Sequence, residues 1–211
     1  MVKLLKSYTI LLFISIALFS SCKKDPVYSE FNGVRAGVSN DEFHNYSFPD
    51  SYFIDKANIG CGVYRGSEAL DLNIDGNSDL VIIERHFVSS EFNHLDCMPP
   101  GGAPLPLTYS RIYNSDTSSF EILSFQSEGS NPFADTLNFN TTINSDELWS
   151  REAYIIKFEE FKSSNPWLII TEDKYIGIRS YIDIDSTYKY GWIKIGIEND
   201  QVVLKEMAFQ K

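Results

Sequence analysis

The chain reads as an all-β protein, an antiparallel β-sandwich or partly open barrel with at most one short helix. Three observations predict this. Apolar and polar residues alternate with period two through much of the chain beyond residue 51. The alternating runs are rich in Ile, Val, Tyr, Phe and Thr, the residues that fit a pleated, half-buried surface. Clusters of Asn, Asp, Ser, Gly and Pro separate them at short intervals, as turns between many short strands require. No internal repeat is present, which argues against a propeller or solenoid.

The N-terminus carries an address. Lys3 and Lys6 precede an apolar run over residues 8–19, which ends in Ser20, Ser21 and Cys22. A charged start, a short apolar middle and small residues before a cut form an export signal. With a cysteine first after the cut, the segment resembles the signal of bacterial lipoproteins of the Bacteroides and Flavobacterium type. That resemblance implies removal of residues 1–21, lipid on Cys22 and an outer-membrane location in the cell envelope. Phe19 departs from the leucine usual at its position, and Lys23, Lys24 and Asp25 leave the periplasmic and surface faces both open. An uncleaved anchor or a plain secretory signal are the competing readings, but the run is short of the ~20 residues a spanning helix needs.

Residues 22–50 are polar and irregular, with Pro26, Gly33, Gly37 and Pro49, and are expected to form the lipidated cysteine and a flexible tether. A single domain is then expected over 51–211, a length suited to one core. Strands are expected over 80–88, 107–113, 120–125, 153–158, 167–171, 175–184, 188–197 and 202–209. Asn199 and Asp200 read as a hairpin turn between the last two. Ser145, followed by Asp146 and Glu147, reads as the N-cap of a short helix over 145–152. The four prolines and two glycines between Cys97 and Pro106 mark a loop.

Charge narrows the partners. The chain has 18 Lys and Arg against 29 Asp and Glu, and the signal holds two of the basic residues and no acidic one, so the exported chain carries −13. Such a protein is repelled by nucleic acid and by anionic headgroups, which leaves the lipid as its sole tie to the membrane. With Cys22 acylated, Cys61 and Cys97 are left as an even pair in an oxidising compartment, read as a disulfide. Free thiols, or thiolates on zinc with His86 and His94, are the alternatives; the spacing of zinc-binding motifs is missing.

One motif carries chemistry. Residues 71–79 read D-x-N-x-D-G-x-x-D, hard oxygen donors around a glycine suited to a sharp turn. Position twelve is Ile82, where an EF-hand has its bidentate glutamate, and the flanks alternate like strands. The segment resembles the strand–loop–strand calcium loops of integrin α-subunit repeats and similar bacterial surface proteins. That resemblance implies Ca2+ held structurally by the side chains of Asp71, Asn73, Asp75 and Asp79 and the carbonyl of Asn77. The competing reading is a polar turn whose Asp and Asn side chains cap amides. A sparser resemblance, through this loop, Tyr175-Ile-Gly177-Ile-Arg179, Tyr190-Gly191-Trp192-Ile193 and the final strand, is to secreted bacterial β-proteins without assigned activity. For Gly177, Gly191 and Trp192, strand packing stands against a ligand platform, and packing is the favoured reading.

No catalytic residue is nominated. His44, His86 and His94 accompany no nucleophile signature, and no G-x-S-x-G, H-E-x-x-H or phosphate loop occurs. Glu159 and Glu160 are adjacent, so on a strand they point to opposite faces. The function expected is therefore a non-catalytic envelope lipoprotein, calcium-stabilised, binding a glycan, peptide or protein. The alternative is an extracytoplasmic hydrolase acting on polysaccharide.

Overall fold

A computed structural model describes residues 33–88, 108–115, 119–126, 132–157, 167, 171–182 and 187–211. The protein is all-β. Fourteen strands are described: β1 (Gly33–Arg35), β2 (Phe43–Phe53), β3 (Ala57–Asn58), β4 (Val63–Leu70), β5 (Leu80–Phe87), β6 (Tyr109–Asn114), β7 (Phe120–Phe125), β8 (Phe133–Ala134), β9 (Thr142–Asn144), β10 (Trp149–Ser150), β11 (Glu152–Lys157), β12 (Lys174–Ile182), β13 (Thr187–Glu198) and β14 (Gln201–Gln210). β1 and β9 form a two-stranded ribbon. The others form one long sheet in the order β2-β14-β13-β12-β7-β8-β11-β6-β5-β4-β3, with β10 beside β7.

The sheet curls until its inner face meets itself. Ile176, Ile178, Ile193, Ile195, Val202 and Leu204 from one half pack with Leu70, Leu80, Ile82 and Ile112 from the other in a single buried cluster. This contact across the curl drives the fold: each buried aliphatic side chain contributes roughly 1.5–3 kcal/mol. The outer face of β7, β12 and β13 is buried too. There the β1–β9 ribbon contributes Val34 and Ile143 to a second cluster with Leu123, Tyr175, Trp192 and Ala208. Burial on both faces explains why adjacent positions in these strands are buried in place of strict in–out alternation.

Most expected strands are found within a residue or two of their expected bounds, and the turn at Asn199 and Asp200 has both residues at positive φ, as a two-residue hairpin needs. Of the expected strand over 167–171, Trp167 is buried and donates its indole N–H to the Ala134 carbonyl; residues 168–170 lie outside the described residues. So do Cys22, His94, Cys97, Glu159, Glu160 and the proline-rich loop up to residue 107.

Two expectations are corrected. The stretch assigned to a tether is folded from Gly33 onward, because β1 pairs with β9 and β2 pairs with β14. The helix expected over 145–152 is a turn followed by β10. The Asn144 side chain caps the amide of Asp146, Leu148 is exposed with no apolar helical face to bury, and Trp149 pairs with Leu123. Gly177 and Gly191 serve packing, as favoured from sequence. A Cβ at Gly177 would press on Leu123 at 3.1 Å, and one at Gly191 would meet the Ala208 carbonyl oxygen at 2.3 Å. Trp192 is 3% exposed and stands edge-on to Tyr175.

Candidate functional site at the open seam

The two ends of the long sheet approach each other. β2 lies at one end and β3, backed by β4, at the other. The lower part of this seam is closed by side chains. Tyr52 on β2 donates its hydroxyl to Glu68 on β4 at 2.9 Å, and that carboxylate holds the tyrosine pKa above its ordinary value. Gly66 on β4 lies so close to the Asp55 carbonyl oxygen that a Cβ would sit 2.1 Å from it. Lys56, between β2 and β3, reaches inward to Glu84 at 2.7 Å and Gln201 at 2.6 Å.

Glu84 is a buried carboxylate with every oxygen engaged. One oxygen accepts from Lys56; the other accepts from the Ser110 hydroxyl at 3.0 Å and from the backbone N–H of Val202 at 2.6 Å. It thereby ties β5 to β6, to the start of β14 and to the seam. Nothing in its apolar strand announces this role, which exists only once β14 has folded across β5.

The upper part of the seam is open, and there a groove of about 270 Å³ is found. His44, Asn45, Tyr46 and Phe48 of β2 line one side; Glu68, Leu70, Asp71, Leu72 and Ile74 line the other, with Met207 of β14. Tyr46 is half exposed and meets Phe48 edge-to-face at 4.7 Å; Ile74 is 62% exposed. The walls are thus aromatic and aliphatic, with carboxylates at the edge. Among the lining residues there is no lysine or arginine.

The loop 71–79 forms one wall of this groove, and its curl is held by its own side chains. Asp71 accepts from the amides of Asp75 at 3.1 Å and Gly76 at 2.8 Å. Asn73 also accepts from the Asp75 amide at 3.0 Å, and Asp75 accepts from the Asn77 amide at 2.8 Å. That last bond holds the Asp75 carboxyl below the usual range. Ile74 and Gly76 take positive φ, the geometry of a tight coil. Asp79 lies at the neck of the loop, 4% exposed, accepting from the amides of Leu72 at 2.8 Å and Asn73 at 3.3 Å.

Asp71, Asn73 and Asp75 are thus brought together on one coil, while Asp79 is turned onto the backbone beneath it. Among the described residues, no three His, Cys, Asp or Glu side chains converge as a ready-made metal cluster. The oxygens retain capacity: each accepts one or two amides, and a carboxylate offers about four lone-pair sites. Burial, together with the neighbouring charges of Asp75 and Asp71, pushes the Asp79 carboxyl above its ordinary pKa.

This has a sign that can be tested. A carboxyl raised in the folded state favours folding when protonated and loses that contribution as pH rises through its folded value. Without a cation, ionised Asp79 therefore weakens the neutral-pH protein. Asp79→Asn keeps an oxygen for the two amides, so in chelator it should melt above the parent at pH 7. The gap should close as pH falls below the carboxylate range near ~4. A variant less stable than the parent at pH 7 contradicts the burial argument.

What fold and site define is a curled, partly open β-sheet with a groove at its unclosed seam. Comparison with known proteins finds no matching family model, no matching curated protein and no matching solved structure.

Proposed function

We propose that the protein is a non-catalytic lipoprotein of the bacterial envelope whose β-domain binds a ligand in the seam groove, with calcium in the loop 71–79. The observation that carries the reading is the shared wall: Asp71 and Ile74 belong both to the groove and to the oxygen-rich coil. Calcium would be held by Asp71, Asn73, Asp75, Asp79 and the Asn77 carbonyl. It supplies charge compensation, replacing the mutual repulsion of three carboxylates within nine residues. A cation there also fixes the position of Ile74, and with it the mouth of the groove.

The hydrolase alternative has one observation in its favour, since Glu68 and Asp71 both line the groove. Both are committed elsewhere: Glu68 accepts from Tyr52, and each oxygen of Asp71 accepts a loop amide. A general acid needs a carboxyl free to hold and release a proton at the substrate. That favours binding over cleavage. Release of new reducing ends from a polysaccharide by this protein, lost in Glu68→Gln, would move the reading to a hydrolase.

The address is part of the proposal and rests on residues 8–22. Cys22→Ser should abolish acylation and move the protein out of the membrane fraction. Retention of the variant, with no loss of palmitate label, overturns the lipoprotein reading. The Cys61–Cys97 bridge is proposed as well. Its support is that Cys61 is in disulfide form and that Cys97 is the other cysteine left after acylation of Cys22.

A further inference from the structure

We infer that the occupant of the groove is an extended peptide that adds as a strand to the open edge of β2 and sets a basic side chain against Glu68. The inference rests on the reading of the seam as a binding site and names the class of ligand. Three observations carry it.

The first is backbone. β2 stands at the end of the sheet, and among the described residues its one strand neighbour is β14. Across the seam, β3 pairs with β4 at Tyr64 and Arg65, so residues 67–70 have no described strand partner on that side. Unpaired edges are templates for another strand, and main-chain hydrogen bonds then supply affinity. Pro49 and the bulge opposite Lys205, where β2 has four residues between Ser47 and Tyr52, blunt the later part of the edge. The pairable part is therefore the run before Phe48, the part that lines the groove.

The second is size. A space of about 270 Å³ is below the range of pockets that enclose a drug-sized ligand, and suits one or two side chains of a segment that continues beyond it. The third is charge. Glu68 faces the groove without a lysine or arginine among the lining residues, on a chain of net charge −11. A lysine or arginine can lay its stem on Tyr46 and Ile74 and carry its charge to the Glu68 carboxylate. An acidic or uncharged strand gains less.

The test uses three blocked pentapeptides followed by amide NMR shifts of Tyr46 and Ile74 at low salt. The first is Thr-Val-Lys-Val-Thr. The second has glutamate for lysine, and the third is the lysine peptide with alternate backbone nitrogens methylated. The lysine peptide should bind, and the glutamate peptide should bind about tenfold more weakly or not at all, since like charges are set together. Methylation, which removes strand donors without removing side chains, should abolish binding. Glu68→Gln should narrow the gap between lysine and glutamate peptides. Equal binding of the methylated peptide overturns strand addition, and equal binding of the glutamate peptide overturns the charge preference. Shifts from cello- or chito-oligosaccharides with none from peptides overturn this inference and leave the groove a binding site. Shifts on raising protein concentration alone assign the edge to a second copy. If peptides, sugars and self-association all leave the groove unmoved, the binding reading falls with the inference.

Discussion

Glu84→Ala should cost about 3–5 kcal/mol of stability, the usual result of breaking a buried ion pair on one side. In a domain of this size that lowers the melting temperature by roughly 10 °C. The reason is geometric. The carboxylate takes three donors from three places, Lys56, Ser110 and the amide of Val202, and is 2% exposed. Removing it leaves the Ser110 hydroxyl and the Val202 N–H in the core without that acceptor, and leaves the Lys56 ammonium to Gln201. Glu84→Gln should cost less, because an amide oxygen can still accept from Ser110 and Val202. In a double-mutant cycle with Lys56→Ala, the pair should lose less than the sum of the singles. A loss below about 1 kcal/mol for Glu84→Ala, or strict additivity with Lys56→Ala, contradicts the clasp.

Removing the proposed Cys61–Cys97 bridge should have the second large effect. A bond closing a loop of about 36 residues contributes roughly 3–4 kcal/mol when unstrained. Cys61 occupies a tight turn between β3 and β4, where it, Gly60 and Gly62 all take positive φ. That turn borders the seam, and the calcium-type loop lies inside the closed segment. Reduction, or replacement of both cysteines by serine, should lower the melting temperature by about 10 °C. It should also broaden the signals of residues 71–79. An exported protein that melts at the same temperature with and without reductant contradicts the bridge.

How far the sequence was legible depends on where each element's information resides. β12, β13 and β14 bury apolar residues along their own length, so alternation and β-branched content reveal them directly. β2 does not. It is an end strand with Asn45, Tyr46 and Ser47 exposed and Pro49 in a bulge, so its local signal is that of a loop. The tether reading failed there because pairing with β14, through residues far away in sequence, supplies the order that composition lacks. The helix reading failed for a related reason: Ser145, Asp146 and Glu147 are the residues of a helix start and also of a capped turn, and Trp149 against β7 decided between them.

The site shows the same division. The loop 71–79 was legible as a motif because its donors are local, and the coil around Gly76 bears out the expected sharp turn. Sequence assigned no partner surface to it. The groove is made by two sheet ends that are not paired with each other, so no spacing encodes it. The one available hint was composition, the aromatic Tyr46 and Phe48 in a stretch otherwise read as polar.

The central claim is that the coil beside the groove is a calcium site, and a melting curve tests it most directly. With a dissociation constant of about 0.1 mM, ~2 mM calcium adds roughly 1.8 kcal/mol. The melting temperature should then rise by about 4 °C over that in chelator, with magnesium a poor substitute. Asp75→Asn should remove most of the rise. Asp71→Ala should remove it too, but should also lower the calcium-free melting temperature, because Asp71 caps the amides of Asp75 and Gly76. Identical curves in calcium and chelator contradict the claim and leave the loop a capped turn.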